Sequence, residues 1–357
     1  MTSGELQSSA LMRPASGITK APGGRIRRGW PFAALLLIFV AGLFVPAVVH
    51  SPFYQGLAND GLILGMLALA TGFLMSQCNL VMFGVVMFYG GPAYLFAIAN
   101  TNFDWSTGAD VFAACFGTLV GAAAIGAAFV RAKPLPFAML TLAVSQMLRQ
   151  AVVITDFRPV TGGEDGLVID LRDSFLGLTQ ADLSTPSKFW VVVWIATALV
   201  LVVVWAVVHS RFGRILRGIR DNEERMRFSG IGTYWPRLAA FVLAAGIASL
   251  AGILHVLNSA FASPELLDFS LAGNVIASVL IGGSAGLLGP VAGGVAFTLG
   301  LDQFAASGHL QLFTGVALVG IIAALPNGVE GFVRAALKRM TGNRTTRPNT
   351  DDAHADP

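Results

Sequence analysis

Apolar residues fill ten long runs of this chain with little interruption, at about 32–49, 57–75, 79–99, 111–130, 134–153, 189–208, 237–259, 270–288, 290–306 and 311–326. A surface helix of a soluble domain keeps a polar stripe, and these runs are apolar on every face. At such lengths they are predicted membrane spans. In lipid each span must satisfy its own backbone hydrogen bonds, so each is predicted as a helix. The predicted fold class is all-α: a polytopic membrane protein of about ten transmembrane helices. Several runs are short for a hydrocarbon core of roughly 30 Å. The eighth and ninth meet at Gly282, Gly283, Gly286, Gly289 and Pro290. Small and helix-breaking residues of that kind let membrane helices pack closely or break beside a cavity.

The polar intervals give the organisation. Residues 1–30 form a polar N-terminal segment, 31–335 a single transmembrane domain, and 340–357 a polar tail without apolar periodicity, expected to be disordered. Two intervals are long enough for a task of their own, 154–188 and 209–236. The arginines Arg25, Arg27 and Arg28 before the first apolar run look like a secretion signal. No small-residue cleavage site follows, so an uncleaved first span is expected.

Charge sets the orientation. Charged residues make up 12% of the chain and mean hydropathy is +0.70, against roughly 25% charged in soluble domains. The sequence pI of about 9.1 would suggest a nucleic-acid partner in a soluble protein; here the distribution of charge matters more, and no nucleic-acid partner is expected. With the N-terminus inside and spans alternating, 19 of the 23 lysines and arginines fall on inner segments, as the positive-inside rule requires. The other four are Arg149, Arg158, Arg172 and Lys188. An odd number of spans would spoil the split, so both termini are predicted to be cytoplasmic.

No catalytic constellation is visible. GGSAGLLGPVAGG (282–294) lacks the Gly-Lys-Ser/Thr ending of a phosphate-binding loop. The five histidines are scattered, and Cys78 and Cys115 have no ligand spacing, so neither a metal nor another cofactor is expected, and the cysteines read as packing residues. Span interiors are nearly bare of ionisable groups, with His255 the one titratable residue well inside a run. With neither an ion relay nor an ATPase in view, the energy for any uphill transport must enter from another subunit.

That makes GRILRGIRDNEERMRFSGIG (213–232) the informative interval. Orientation alone accounts for its arginines. Beyond that, Arg214, Arg217, Asp221, Glu224 and Phe228 recur at three- and four-residue spacing, as on one helical face. Ile215, Ile219 and Met226 add a broken apolar stripe, Asp221-Asn222 a helix start and Gly230 a stop. A short amphipathic helix lying against a cytoplasmic partner is predicted.

The same residues carry a family resemblance. RFGRILRGIRDNEERMRFSGIG (211–232) resembles the FGRALRAIRDNE signature of LivM-type permeases of branched-chain amino-acid ABC importers. YWPRLAAFVLAAGIASLAGILH (234–255), FASPELLDFSLAGNVIASVLIGGSAGLLGPVAGGVAF (261–297), TGGEDGL (161–167) and LPNGVEG (325–331) resemble further family motifs in the family's order. The resemblance implies an ABC-importer permease fold and a cytoplasmic helix that docks on an ATPase. The implied partners are a second, LivH-like permease, two ATP-binding subunits and a periplasmic solute-binding protein, assembled in the bacterial inner membrane. By position, Gly213, Arg214, Arg217, Arg220, Asp221, Asn222, Glu223 and Gly230 would form the coupling element. Thr161, Gly162, Gly163, Glu164, Asp165 and Gly166 would shape the outer mouth, although Gly-Gly and Asp-Gly also serve simply as turns. One departure stands out: where the family carries polar residues in its third span, this chain has Leu80, Met82 and Val85. The leading expectation is import of branched-chain or related amino acids. Urea or short-chain amide import, an ATP-independent channel and a structural scaffold are the alternatives.

Overall fold

A computed structural model of the chain describes residues 49–305, apart from 176, 284 and 285, together with the isolated residues 42, 46 and 315. The predicted runs at 32–49 and 311–326, the terminal segments and the LPNGVEG motif fall essentially outside the described residues. Among those described, the elements are α1 (Pro52–Cys78), a 3-10 turn (Phe83–Val86), α2 (Met87–Asn102), α3 (Thr107–Phe129) and α4 (Pro134–Val153). After three short helical turns, the second of them α5 (Arg158–Thr161), come β1 (Leu167–Val168), α6 (Gln180–Leu183) and α7 (Pro186–His209). Then follow α8 (Arg211–Asp221), α9 (Glu223–Phe228), α10 (Tyr234–Ser259), β2 (Phe261–Ala262), α11 (Phe269–Gly282) and α12 (Leu288–Ala305). Among the described residues, five helical stretches are long and apolar enough to cross a bilayer, and six if α4 is joined to its continuation through Thr161 across a 62° bend.

Glycine contacts hold the centre together. α1 is buried along most of its length because its small residues admit other backbones. A Cβ on Gly65 would stand 2.8 Å from the Val291 carbonyl oxygen, and one on Gly294 would stand 2.4 Å from the Gly65 nitrogen. α1 and α12 therefore cross backbone to backbone, where van der Waals contact rather than the hydrophobic effect drives association. α10 meets α2 in the same way, with a Gly252 Cβ falling 2.0 Å from the Tyr89 carbonyl oxygen. Next to that crossing, Phe241 sits edge-on to both Phe88 and Phe137, with ring centroids 5.4 and 5.6 Å apart.

The predicted break between the eighth and ninth runs is present and differently placed. α11 ends at Gly282, with Gly283 at φ +91° after it. Gly286 lies in a bend, while Gly289 and Pro290 fall in the first turn of α12. A Cβ on Gly282 would lie 1.8 Å from the Gly289 carbonyl oxygen, so the two helices touch at the break. At 14 residues, α11 is about 21 Å long, short of the ~30 Å hydrocarbon core.

The run predicted from residue 79 starts late. Asn79 takes a left-handed conformation, residues 79–82 are not helical, and the helix proper begins at Met87. The irregular stretch is held inside the protein, where a Gly84 Cβ would stand 2.2 Å from the Thr141 carbonyl oxygen. Such backbone is tolerated at membrane depth only when protein surrounds it. Leu80, Met82 and Val85 are completely buried here. The departure from the family's polar pattern is thus a packing feature of this chain.

Candidate coupling loop and outer turn

Hydrogen bonds sort the connections into two groups at opposite ends of the helices. At one end Asn59 donates to the Pro186 carbonyl oxygen (3.0 Å), Arg172 binds Asp104, Thr107 donates to the Asp173 carbonyl oxygen (3.3 Å), and β1 pairs antiparallel with β2. At the other, Arg220 donates to the Ser76 carbonyl oxygen (2.6 Å), and Tyr234 Oη donates to the Ala127 carbonyl oxygen (3.2 Å). There too the Arg131 guanidinium stacks 4.8 Å over the Tyr234 ring. The grouping matches the alternation drawn from charge: 154–188 gathers at one end and 209–236 at the other.

The 209–236 interval folds as two helices rather than one. Ser210 caps α8, its hydroxyl accepting from the Gly213 N–H at 3.3 Å. Asn222 then ends α8 and starts α9, its side chain accepting from the Arg225 N–H at 2.9 Å. The predicted start at Asp221-Asn222 is therefore an internal break, and the face expected to run from Arg214 to Phe228 is interrupted there. The buried stripe of α8 is Gly213, Leu216 and Ile219, with Ile215 only partly buried and Met226 folded back over Gly218. Past α9, Gly230 takes φ +78°, and the Ile231 N–H returns to the Met226 carbonyl oxygen at 3.1 Å, a helix stop that favours glycine.

The predicted coupling residues separate into two sets. Arg217 and Arg220 turn toward the bundle, Arg217 donating to the Val208 carbonyl oxygen at 3.1 Å and Arg220 to that of Ser76. Glu223 also faces inward. Its carboxylate meets Arg237 Nη1 at 2.9 Å, Arg227 Nη2 at 3.1 Å and the Thr233 hydroxyl at 3.0 Å. The Arg237 side chain is only 8% exposed against 29% for Glu223, so this pair ties α9 to the first turn of α10. In sequence Arg237 is one of the basic residues on the inner side and carries no motif of its own. A basic residue opening an apolar run needs a partner, and that was the available signal. Arg214, Asp221, Asn222, Glu224 and Arg225 remain exposed, and Phe228 projects with 91% of its surface free.

The predicted outer residues form a compact turn. Thr161 donates to the Val152 carbonyl oxygen at 2.7 Å, tying the turn to the end of α4. Gly162, Gly163 and Gly166 all have positive φ, and Arg158 bridges to Asp165 at 2.6 Å, while Glu164 is exposed. A Cβ on Gly162 would meet the Gly166 carbonyl oxygen at 2.0 Å, so no other residue fits. Thr161 also borders a cavity of about 420 Å³ between α2, α3 and α4, whose walls include Met87, Tyr94, Gly121, Ile125 and Leu148. That volume lies within the range of small-molecule sites.

Elsewhere the His255 ring packs on that of Tyr89, with centroids 5.6 Å apart, and both cysteines are free. Among the described residues no cluster of three or more His, Cys, Asp or Glu side chains could hold a metal ion.

Long apolar helices crossing through glycine contacts, with their connections gathered at two ends, define a multi-pass membrane protein. The chain belongs to the family described as the permease component of the branched-chain amino acid transport system, which matches residues 53–325. That family is one of permease components of transport systems. Among curated proteins it is similar to the autoinducer 2 import system permease protein LsrC of Yersinia pseudotuberculosis, at 27% identity over 194 residues. The LsrC proteins of Escherichia coli O9:H4 and Salmonella typhi are 27% identical over 188 and 156 residues. The stretches shared with the first two cover half of this chain and about half of each relative (51% and 52%), against 41% and 43% for the third. No solved structure matches at comparable significance.

Proposed function

We propose that this chain is the LivM-type half of a heterodimeric permease in an importer of branched-chain or related amino acids. ATP-driven closure of two ATP-binding subunits would push on α8 and α9, and the spans would open alternately toward a binding protein outside and the cytoplasm inside. The observation that carries the reading is the construction of the 209–236 loop. It leaves Phe228 exposed, while Arg220 clamps it to α1 and Glu223–Arg237 to α10. A loop that only obeyed the positive-inside rule would need neither clamp.

The names of the curated relatives favour a second reading, in which the solute is autoinducer 2 rather than an amino acid. One experiment addresses both. The chain is purified through a tag from native membranes, and the complex is reconstituted in vesicles with its binding protein. ATP-dependent accumulation of labelled leucine supports the first reading, and accumulation of autoinducer 2 the second. Recovery of the chain without ATP-binding subunits would remove both.

A further inference from the structure

Four basic side chains belong to the end of the bundle that carries 154–188. Three are paired: Arg158 with Asp165, Arg172 with Asp104 and Lys188 with Asp182. The fourth, Arg149, lies within α4, four residues before its end. Its Nε is shut off from solvent with no hydrogen-bond partner, and no acid among the described residues pairs with its guanidinium. One turn earlier Gln146 Nε2 is also buried and unpartnered. The Thr141 and Ser145 hydroxyls on the same helix donate to the Ala138 and Leu142 carbonyl oxygens, and neither accepts from these two groups.

A charge inside a spanning helix is costly and is retained where something answers it. Residues three apart share a helical face, and the buried unpartnered atoms on this one, Gln146 Nε2 and Arg149 Nε, are both N–H donors. Guanidinium has donors and no acceptor, and its planar fork matches a carboxylate in a bidentate manner. A carboxylate, with two acceptor oxygens and the opposite charge, would answer both groups. We propose that Gln146 and Arg149 form an anion subsite on α4 that takes the carboxylate of the imported solute. This rests on the importer reading and narrows its solutes to those bearing a carboxylate.

The test uses the complex purified with its partners and reconstituted in vesicles. Phenylglyoxal labels arginine, and mass spectrometry reads the peptide containing Arg149. Isovalerate, a branched carboxylate, should slow labelling on the order of fivefold at a concentration near four times its dissociation constant. The neutral isostere isovaleramide should not, and Gln146→Leu should weaken the protection. Equal protection by acid and amide would overturn the proposal. So would an Arg149 that resists labelling before any acid is added, which would mean a partner subunit's carboxylate already covers it. So too would labelling that rises when anionic phospholipid is removed while isovalerate has no effect, which would assign the site to a lipid headgroup. Assembly with ATP-binding subunits is scored separately, so failure of the importer reading and failure of the subsite are distinguishable.

Discussion

Glu223 and Arg237 show how one contact gives a charged loop a mechanical role. Removing one partner leaves the other poorly compensated, and because Glu223 keeps some contact with solvent the loss should stay below that of a fully buried pair. Glu223→Gln is expected to cost about 1–3 kcal/mol, and the double variant Glu223→Gln, Arg237→Met should recover part of it. Thermal melting of the purified chain checks this; a wild-type midpoint in Glu223→Gln would show that the pair carries nothing. At the opposite end, Asp182 accepts from Lys188 and from the hydroxyl and N–H of Thr179, which hold its carboxyl down at about 2. A lowered carboxylate contributes above its unfolded value of 3.8, and that contribution is lost as pH falls through the folded value. The amide of Thr179 should therefore stay protected from hydrogen exchange at pH 4.5 and lose protection only between roughly pH 4 and 2.

Among the elements, helices came through from sequence more faithfully than their ends or faces. α1, α3, α4, α7 and α10 stand where apolar runs placed them, because lipid leaves the backbone no alternative to the helix. The start of α2 was not legible, since Leu80 and Met82 are as apolar as a span and only the seat of Gly84 on Thr141 shows why the chain stays irregular. The helix start at Asn222 was legible as a cap and is present; the end of α8 just before it was not, because an N-cap signal does not say whether another helix has just ended. Helix crossings give a sharp test. Gly252→Ala places a methyl against the Tyr89 carbonyl, whereas a Cβ at Gly273 meets nothing within 4 Å. Gly252→Ala should lose about 1–3 kcal/mol and much of its yield in membranes, while Gly273→Ala should behave as wild type. Phe228→Ser tests the coupling proposal at the same scale. Membrane yield should be unchanged, with ATP-driven uptake down at least about tenfold if a central, exposed aromatic anchors the partner. Full uptake in that variant would argue against a docking role for α9.

For the whole molecule, orientation is the property that charge counting predicts and side-chain labelling can measure. In a background of Cys78→Ala and Cys115→Ala, a cysteine placed at Ser229 should react with an impermeant maleimide only in inverted vesicles. One placed at Ser174 should react only in intact cells. Labelling of both from one side would overturn the alternation. The sequence by itself determined the apolar helical architecture and the transport-permease family, because each rests on composition and local spacing that survive without coordinates; the side of the membrane on which each loop lies is what the labelling tests. Only the tertiary structure decided which charges are spent and which remain. Arg217, Arg220 and Glu223 turned inward to hold a loop, Phe228 was left outside it, and Arg149 was left without a partner among the described residues. Pairing depends on which helices meet, and that is set by glycine contacts between segments hundreds of residues apart, such as Gly65 with Gly294, which no local pattern records.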